Sequence, residues 1–378
     1  MLADTEAAVR LRAPGRLHLG FLDPGASLGR RFGSLGLVLD GFETEVEVSA
    51  SSCDEVRVCG PAERAEIELM ASPDGPVAAS GIGGPAELAR AAACLGLLQR
   101  HSGRHEALRL SLLRVLPAHA GFGSGTQLAL AIGRAFAQWH RLDISTPTLA
   151  QWLGRGARSG VGIAGFDHGG LLLDGGPSAD GAPAPVLSRI PLPPAWRVLV
   201  VQDSAHQGLS GADERNAIAT LSPLPRALAA DICHQVLMCV LPGAGGAEFA
   251  PFAAGINRIQ QVLGEHFAPA QGGSAFTSPA VGRLLEWIGS SARGRTGAGD
   301  DHRPGQSTPQ VTEPVAAIGQ SSWGPTGFAI LPSQAQAEAV VDAARAAMVV
   351  APSLTVRIVS GRNSGASVID RRAAPQAR

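Results

Sequence analysis

The run Pro117-x-His119-x-Gly121-x-Gly123-Ser124-Gly125-Thr126 contains the residue types that can hold an anion. Glycines let backbone N–H groups approach a charged ligand closely. A helix starting just after them would add unpaired donors and the positive end of its dipole. Ser124 and Thr126 add hydroxyl donors, and His119 could donate to a phosphate or move a proton. The same spacing also suits an ordinary capped helix after a flexible turn, with His119 a partly buried, satisfied histidine.

The flanking pattern sets this run between a strand and a helix. Leu108, Leu110 and Leu112 alternate with Arg109 and Ser111, which predicts a strand closed at Pro117. Leu128, Ile132, Phe136 and Trp139 recur at helical spacing after it. Earlier, Val9–Ala13 reads as a strand leading into a Pro14-Gly15 turn. Ser34–Leu39 and Thr44–Ser49 read as two strands separated by Gly41. A helix is expected to begin near Pro85, a good first-turn residue. Another is expected over Thr146–Arg158, then a strand at Leu171–Asp174. Residues 176–194, rich in Pro, Gly, Ala and Ser, suit a domain boundary or a long surface loop, giving expected halves of 1–185 and 186–378. Val198–Val201 is a buried-strand pattern, and Phe252, Ile256, Ile259, Leu263 and Phe267 mark an amphipathic helix. Residues 289–313 are polar, Gly-rich and aperiodic, and read as a mobile insertion. A helix at 334–348 and a strand at 354–360 follow. Strands and helices mix without a regular βαβ rhythm, so the class is α+β.

Composition excludes several chemistries. The 378 residues contain no lysine and no tyrosine, so arginine supplies all thirty-one side chains counted as basic. A lysine-bearing P-loop, a Schiff-base amine and a catalytic tyrosine are thereby ruled out. The net charge of -1 gives no global field for nucleic acid or an acidic membrane. The five cysteines form no C-x-x-C pair, which argues against a zinc site or a disulfide framework. Residues 1–16 lack the apolar segment of a signal peptide, and no uninterrupted apolar run suggests a membrane span, so the cytoplasm is the expected compartment.

The glycine run resembles the P-x-x-x-G-L-G-S-S motif of GHMP kinases, with Phe122 at the leucine and Gly125 at the second serine. Ala13-Pro14-Gly15-Arg16 resembles the opening motif of that superfamily. Other stretches are similar to one member family, the beta-ribofuranosylaminobenzene 5'-phosphate synthases. They are Arg16-Leu-His18-Leu-Gly20-Phe-Leu-Asp23, Gly123-Ser-Gly-Thr-Gln127, Arg158-Ser-Gly-Val-Gly-Ile-Ala-Gly165, His168-Gly-Gly170, Asp174-Gly-Gly176, Leu209-Ser-Gly-Ala-Asp-Glu214, Gln271-Gly-Gly273 and Gly319-Gln-Ser-Ser-Trp-Gly-Pro-Thr326. The resemblance implies a two-domain α+β fold of GHMP-kinase type. Its N-terminal half would be like ribosomal protein S5 domain 2, and its C-terminal half α/β. It further implies condensation of 5-phosphoribosyl 1-diphosphate with 4-aminobenzoate (4-hydroxybenzoate being open), release of CO2 and diphosphate, magnesium with the diphosphate, and a product for tetrahydromethanopterin synthesis.

On that reading the glycine run cradles the diphosphate through Gly121, Gly123, Ser124, Gly125 and Thr126. Arg16 and Arg158 clamp phosphate or carboxylate. Asp23, Asp167, Asp174 and Glu214 are the candidate magnesium carboxylates, with Asp23 and Asp174 the expected ligands, since magnesium borrows one or two carboxylates alongside phosphate oxygens. Asp167 and Glu214 would stabilise positive charge at the anomeric carbon. His119 is the histidine expected to donate to phosphate or move a proton, His18 and Ser322 are expected substrate contacts, and the Trp323 face could stack on the flat aromatic acid. Each carboxylate suits a cap or a turn equally well, and Trp323 suits a core position. Two other activities remain open: a small-molecule kinase of the same fold, and a non-catalytic binding member. Against the kinase, Ser159-Gly160-Val161-Gly162 carries glycine where such kinases carry a basic aspartate. The oligomeric state is open, with a homodimer among the expectations.

Overall fold

The computed structural model describes residues 7–59, 84–178, 182, 184–208, 216–217, 220–294 and 316–372, and among the last of the 220–294 stretch only the backbone of 291–294. Two long strands, β1 (Ala8–Asp23) and β2 (Phe32–Ala50), pair antiparallel and form the spine of the larger sheet. The turn expected at Pro14-Gly15 is instead a bulge. The register shifts between Pro14 and Arg16 and the strand continues, because a bulge tolerates a residue that cannot donate to the ladder. Likewise β2 runs on through Gly41 at φ 74°. The bulge divides β1 between two cores: Val9, Leu11 and Ala13 pack in one, Leu17 and Leu19 in the other.

Next come β3 (Glu55–Val58), α1 (Pro85–Ser102), β4 (Leu108–Arg114), α2 (Ser124–Trp139), α3 (Thr146–Trp152), α4 (Val161–His168), β5 (Leu171–Asp174), β6 (Val186–Ile190) and β7 (Arg197–Asp203). Then follow α5 (Arg226–Gly245), α6 (Phe249–Phe267), α7 (Pro279–Gly294), β8 (Ala317–Gln320), β9 (Thr326–Leu331), α8 (Gln334–Ala346), β10 (Leu354–Val359) and β11 (Ser367–Asp370). The larger sheet runs β11-β1-β2-β4-β3, with β5 on β2 and β6 on β5. The smaller runs β10-β7-β9-β8. The α+β class therefore stands. The strand β6, with which the expected second half begins, pairs with β5 in the larger sheet, and β11 returns to β1 from the C-terminal end.

Helices α1 to α4 cover one face of the larger sheet, where Leu128, Ile132 and Phe136 of α2 meet Leu110 and Leu112 of β4. A central core joins the second half of β1 to β7, β9, α5 and α6 through residues such as Leu19, Val200, Phe328, Ile232 and Ile259. Helices α7 and α8 cover the other face of the smaller sheet.

Three expectations shift. The helix expected to reach Arg158 stops at Trp152, since Gly154 and Gly156 adopt φ of 64° and 90°. The segment read as an insertion begins inside α7, whose helix continues to Gly294; residues 295–313 lie outside the described ones. One helix, Arg226–Gly245, is long and apolar enough to cross a membrane by length and composition. Its Ile232, Val236 and Val240 are buried in the central core, and Leu237 and Met238 are exposed.

Candidate functional site

The glycine run lies where β1, the start of α2 and the β8–β9 connection meet. Gly123 caps α2 in the left-handed region (φ 72°), and no side chain caps the helix. Between the glycines, Phe122 is fully buried and stacks on Phe42 of β2 at 4.5 Å. Burial of one such ring contributes about 1.5–3 kcal/mol, so the loop is anchored by its one large side chain. Gly121 has φ 90°, and a Cβ there would lie 2.5 Å from the Ser321 carbonyl oxygen. Ser321 is fully buried; its hydroxyl donates to the Gly121 carbonyl (2.7 Å) and accepts from the His18 N–H (2.9 Å). The Arg16 N–H donates to the Phe122 carbonyl, and Arg16 Nη1 to that of Gly121, both at 3.1 Å.

These contacts form one wall of a cavity of about 570 Å³. Its described lining includes Arg16, Arg90, Arg155 and Arg158, together with His119, Ser124 and Thr126, and contains no carboxylate. The two glycines that stop α3 turn the chain so that Arg155 and Arg158 reach the cavity. Arg155 Nη1 would lie 3.5 Å from a Cβ at Gly125, over the start of α2. His119, at φ 58°, has its Nε2 3.4 Å from Arg90 Nη2. Four guanidiniums, a helix N-terminus and two hydroxyls are donors of the kind that can hold a multiply charged anion.

Beside it lies a narrow slot of about 40 Å³, bounded by His18, Phe21, Phe267, Gln271 and Trp323, and sharing Ser322 and Trp323 with the larger cavity. The Trp323 indole is buried and packs on Phe267 at 4.7 Å, so this ring is both a core residue and a wall of the slot. Ser322, at φ 54°, donates its N–H to the His18 carbonyl. His18 is 3% exposed, and its Nε2 makes no hydrogen bond among the described residues. Burial, then the charges of Arg16 and Arg158, hold its imidazole well below the ordinary 6.5.

A pH prediction follows. Between the depressed value in the fold and 6.5, the unfolded chain binds a proton that the folded chain refuses. His18 therefore favours the fold above pH 6.5, and that contribution is lost as pH falls, by up to about 1.4 kcal/mol per unit. His140 and His266 are also lowered, mainly by burial, so they add to the slope. Stability measured by urea unfolding between pH 4.5 and 7.5 should fall toward acid, and His18→Gln should flatten the curve. An equal slope in that variant would mean that His18 titrates normally.

The glycine run lies within the part of the chain that matches a known family model. Residues 87–170 match the GHMP kinases N terminal domain. The beta-ribofuranosylphenol 5'-phosphate synthase of Archaeoglobus fulgidus is 32% identical over 267 residues, which are 67% of this chain and 76% of that protein. The chain belongs to this synthase family. The synthase of the same name from Methanocaldococcus jannaschii is 28% identical over 66% of this chain and 76% of its own length. Solved structures similar in fold include homoserine kinase from Cytophaga hutchinsonii, with a TM-score of 0.60, 15% identity and 98% and 99% of the two chains covered. Mevalonate diphosphate decarboxylase from Staphylococcus aureus gives 0.64, 12% identity and 96% and 98% coverage.

Within this family member, the expected site residues divide sharply. Arg16, His119, Gly121, Gly123, Ser124, Gly125, Thr126, Arg158, Ser322 and Trp323 line the cavity, and His18 lines the slot. The expected carboxylates do not join them. Asp174 is 1% exposed and accepts from the N–H groups of Ser34, Gly160, Val161 and Gly176 and from the Ser159 hydroxyl, which ties the start of α4 to β2. Asp23 accepts from the N–H groups of Gly25 and Leu28 and the Ser27 hydroxyl, and shapes the β1–β2 connection. Asp167 is exposed at the end of α4 and accepts from Thr146. Glu214 lies outside the described residues. Among the described residues no group of three or more His, Cys, Asp or Glu could hold a metal. The described lining therefore does not fit a magnesium ion anchored on protein carboxylates.

Arg90, Arg155 and Ser321 were not singled out by the sequence. Arg90 and Arg155 sit among thirty-one arginines with no distinguishing pattern. Ser321 lies inside the Gly319–Thr326 stretch, where the neighbouring Trp323 drew the functional reading.

Proposed function

We propose that the chain transfers the phosphoribosyl group of 5-phosphoribosyl 1-diphosphate to the ring carbon of a 4-substituted benzoate, forming a C-riboside. The observation that supports this is one cavity lined by four arginines and a glycine loop, next to an aromatic-walled slot with which it shares Ser322 and Trp323. As the bond from the anomeric carbon to diphosphate breaks, charge grows on the leaving oxygen. Backbone N–H groups at the start of α2 and the guanidiniums of Arg16, Arg90, Arg155 and Arg158 stabilise that charge. The carbon that bears the carboxylate forms the new bond, because the para substituent donates electrons to it. The carbon–carboxylate bond then breaks, CO2 leaves, and its electron pair restores aromaticity. No hydroxyl of the acceptor has to lose a proton.

The phenol in the relatives' name favours 4-hydroxybenzoate as the acceptor, and 4-aminobenzoate fits the same chemistry. The slot must widen to admit either ring. Magnesium would enter with the donor, held by its phosphate oxygens. The work would be done in the cytoplasm, and the resemblance noted above assigns such a product to tetrahydromethanopterin synthesis. A kinase fits less well, because Gly162 stands where such kinases carry a basic aspartate and has no side chain to take a proton.

The test is an incubation of the pure protein with the ribosyl donor, magnesium and each carboxyl-labelled benzoate in turn and in competition. Equal amounts of CO2 and diphosphate are expected, indifferent to ATP and suppressed by a chelator. Phosphorylated product that requires ATP, with no CO2, would sink the synthase reading and favour the kinase.

A further inference from the structure

On the far side of the glycine loop the smaller sheet presents an unusual edge to its core face. Gln202 of β7 is paired with Thr326 of β9 and with Thr355 of β10; one row inward, Val200 is paired with Phe328 and Arg357. Residues paired across strands share a face. The face that buries Val198, Val200 and Phe328 thus ends in a polar row with an arginine beside it. That end opens into a second cavity of about 360 Å³, lined also by Pro117, His119, Asp203 and His206.

Two groups in its lining have no hydrogen-bond partner among the described residues. Thr326 is fully buried and its Oγ1 makes no hydrogen bond; Arg357 Nη1 is buried and makes none either. No carboxylate is paired with Arg357 among the described residues; the Phe42 ring lies 5.9 Å from its Cζ. Burial pulls its guanidinium down from the ordinary arginine value. The cavity does contain one carboxylate, Asp203. That group is committed to the Ser278 hydroxyl (2.6 Å), the Ala205 N–H (3.0 Å) and His206 Nδ1 (2.8 Å). A half-buried cation without a counter-charge costs stability. A fold that keeps one beside a buried, unused hydroxyl has a position ready for an anion.

The anion can be specified because His119 lines both cavities. A ligand passing this histidine would carry negative charge at two ends. We propose that the second cavity is a phosphate-monoester site, which holds the 5-phosphate of the ribosyl donor on Arg357, Thr326 and His119 while the diphosphate lies in the glycine-loop cavity. This rests on the donor assigned above. The ribose then spans the junction beside His119.

The experiment is calorimetric titration of the full chain with ribose 5-phosphate, with inorganic diphosphate and with 4-hydroxybenzoate, each separately. Arg357→Gln should weaken ribose 5-phosphate at least about tenfold and leave diphosphate binding unchanged. Arg357→Lys should recover part of the loss, and Thr326→Val should weaken the monoester by a smaller factor. Loss of an unpaired charge should leave the melting temperature of Arg357→Gln equal or higher, which a structural arginine would not do. If Arg357→Gln fails to fold, the lysine and Thr326→Val variants carry the comparison. Unchanged ribose 5-phosphate affinity in folded variants would overturn the inference, as would a loss that falls on 4-hydroxybenzoate instead. Wild-type protein that binds diphosphate but not ribose 5-phosphate also overturns it. Wild-type protein that binds the monoester and not diphosphate would refute the donor assignment at the loop.

Discussion

Valine at Gly123 should leave a folded protein that has lost at least about a hundredfold in affinity for the ribosyl donor. The position is left-handed, at φ 72°, where a β-branched residue is strained by about 1–3 kcal/mol. Its Cβ would stand 3.0 Å from Arg16 Cζ, and the two added methyl groups extend further. Arg16 must then leave the Gly121 carbonyl that it holds at 3.1 Å. One substitution thus covers the first N–H groups of α2 and displaces a guanidinium. Phe122 keeps its stack on Phe42, so the loop stays attached to the core. Circular dichroism should report an unaltered fold, and titration with the donor should report the loss. Retained affinity in the folded variant would mean that the diphosphate sits elsewhere.

Removing the Asp174 carboxylate should cost about 3–5 kcal/mol of stability. Its two oxygens accept four backbone N–H groups and one hydroxyl, the shortest from Gly160 at 2.7 Å. In Asp174→Ala all five donors lose their acceptor inside a site too buried for easy solvation. The strand β2, the start of α4 and the Gly175-Gly176 turn would lose their common tie. Burial already pushes this carboxyl up, and the donors from Gly176, Gly160, Ser159 and Val161 only partly offset that. Asp174→Asn should be intermediate, since it keeps one acceptor and turns an NH2 toward donors. Urea unfolding checks both. A variant with unchanged midpoint but altered magnesium dependence would restore the metal-ligand role expected from sequence.

Much of the scaffold was legible because it follows from hydrophobic period. The Leu108–Leu112 alternation, the α2 stripe and the α6 stripe all became the expected elements. The glycine loop was legible as a strand–helix junction, and the resemblance rather than the glycines themselves pointed beyond an ordinary capped helix. What failed did so for local reasons. Pro14-Gly15 reads as a turn, and only pairing with a long neighbour makes it a bulge. Asp23 and Asp174 could not be placed from sequence, because an aspartate beside glycines has the same signature whether it binds a metal or gathers backbone donors. Asp174 and Asp23 do the latter. Of the cavity arginines, Arg16 and Arg158 lie in the resembling stretches and were expected, whereas Arg90 of α1 and Arg155 of the α3–α4 connection were illegible because no local pattern joins them to the glycine run.

The Ser321 hydroxyl ties His18 and Gly121 across 303 and 200 residues of chain. Closing such contacts is slow relative to forming α2, which is local. During synthesis the glycines emerge, and their helix can wind, long before Ser321 exists. The arrangement of the glycine loop therefore comes into being in a late folding step, when the β8–β9 connection docks. In a refolding experiment, helix signal should return ahead of the ability to bind diphosphate.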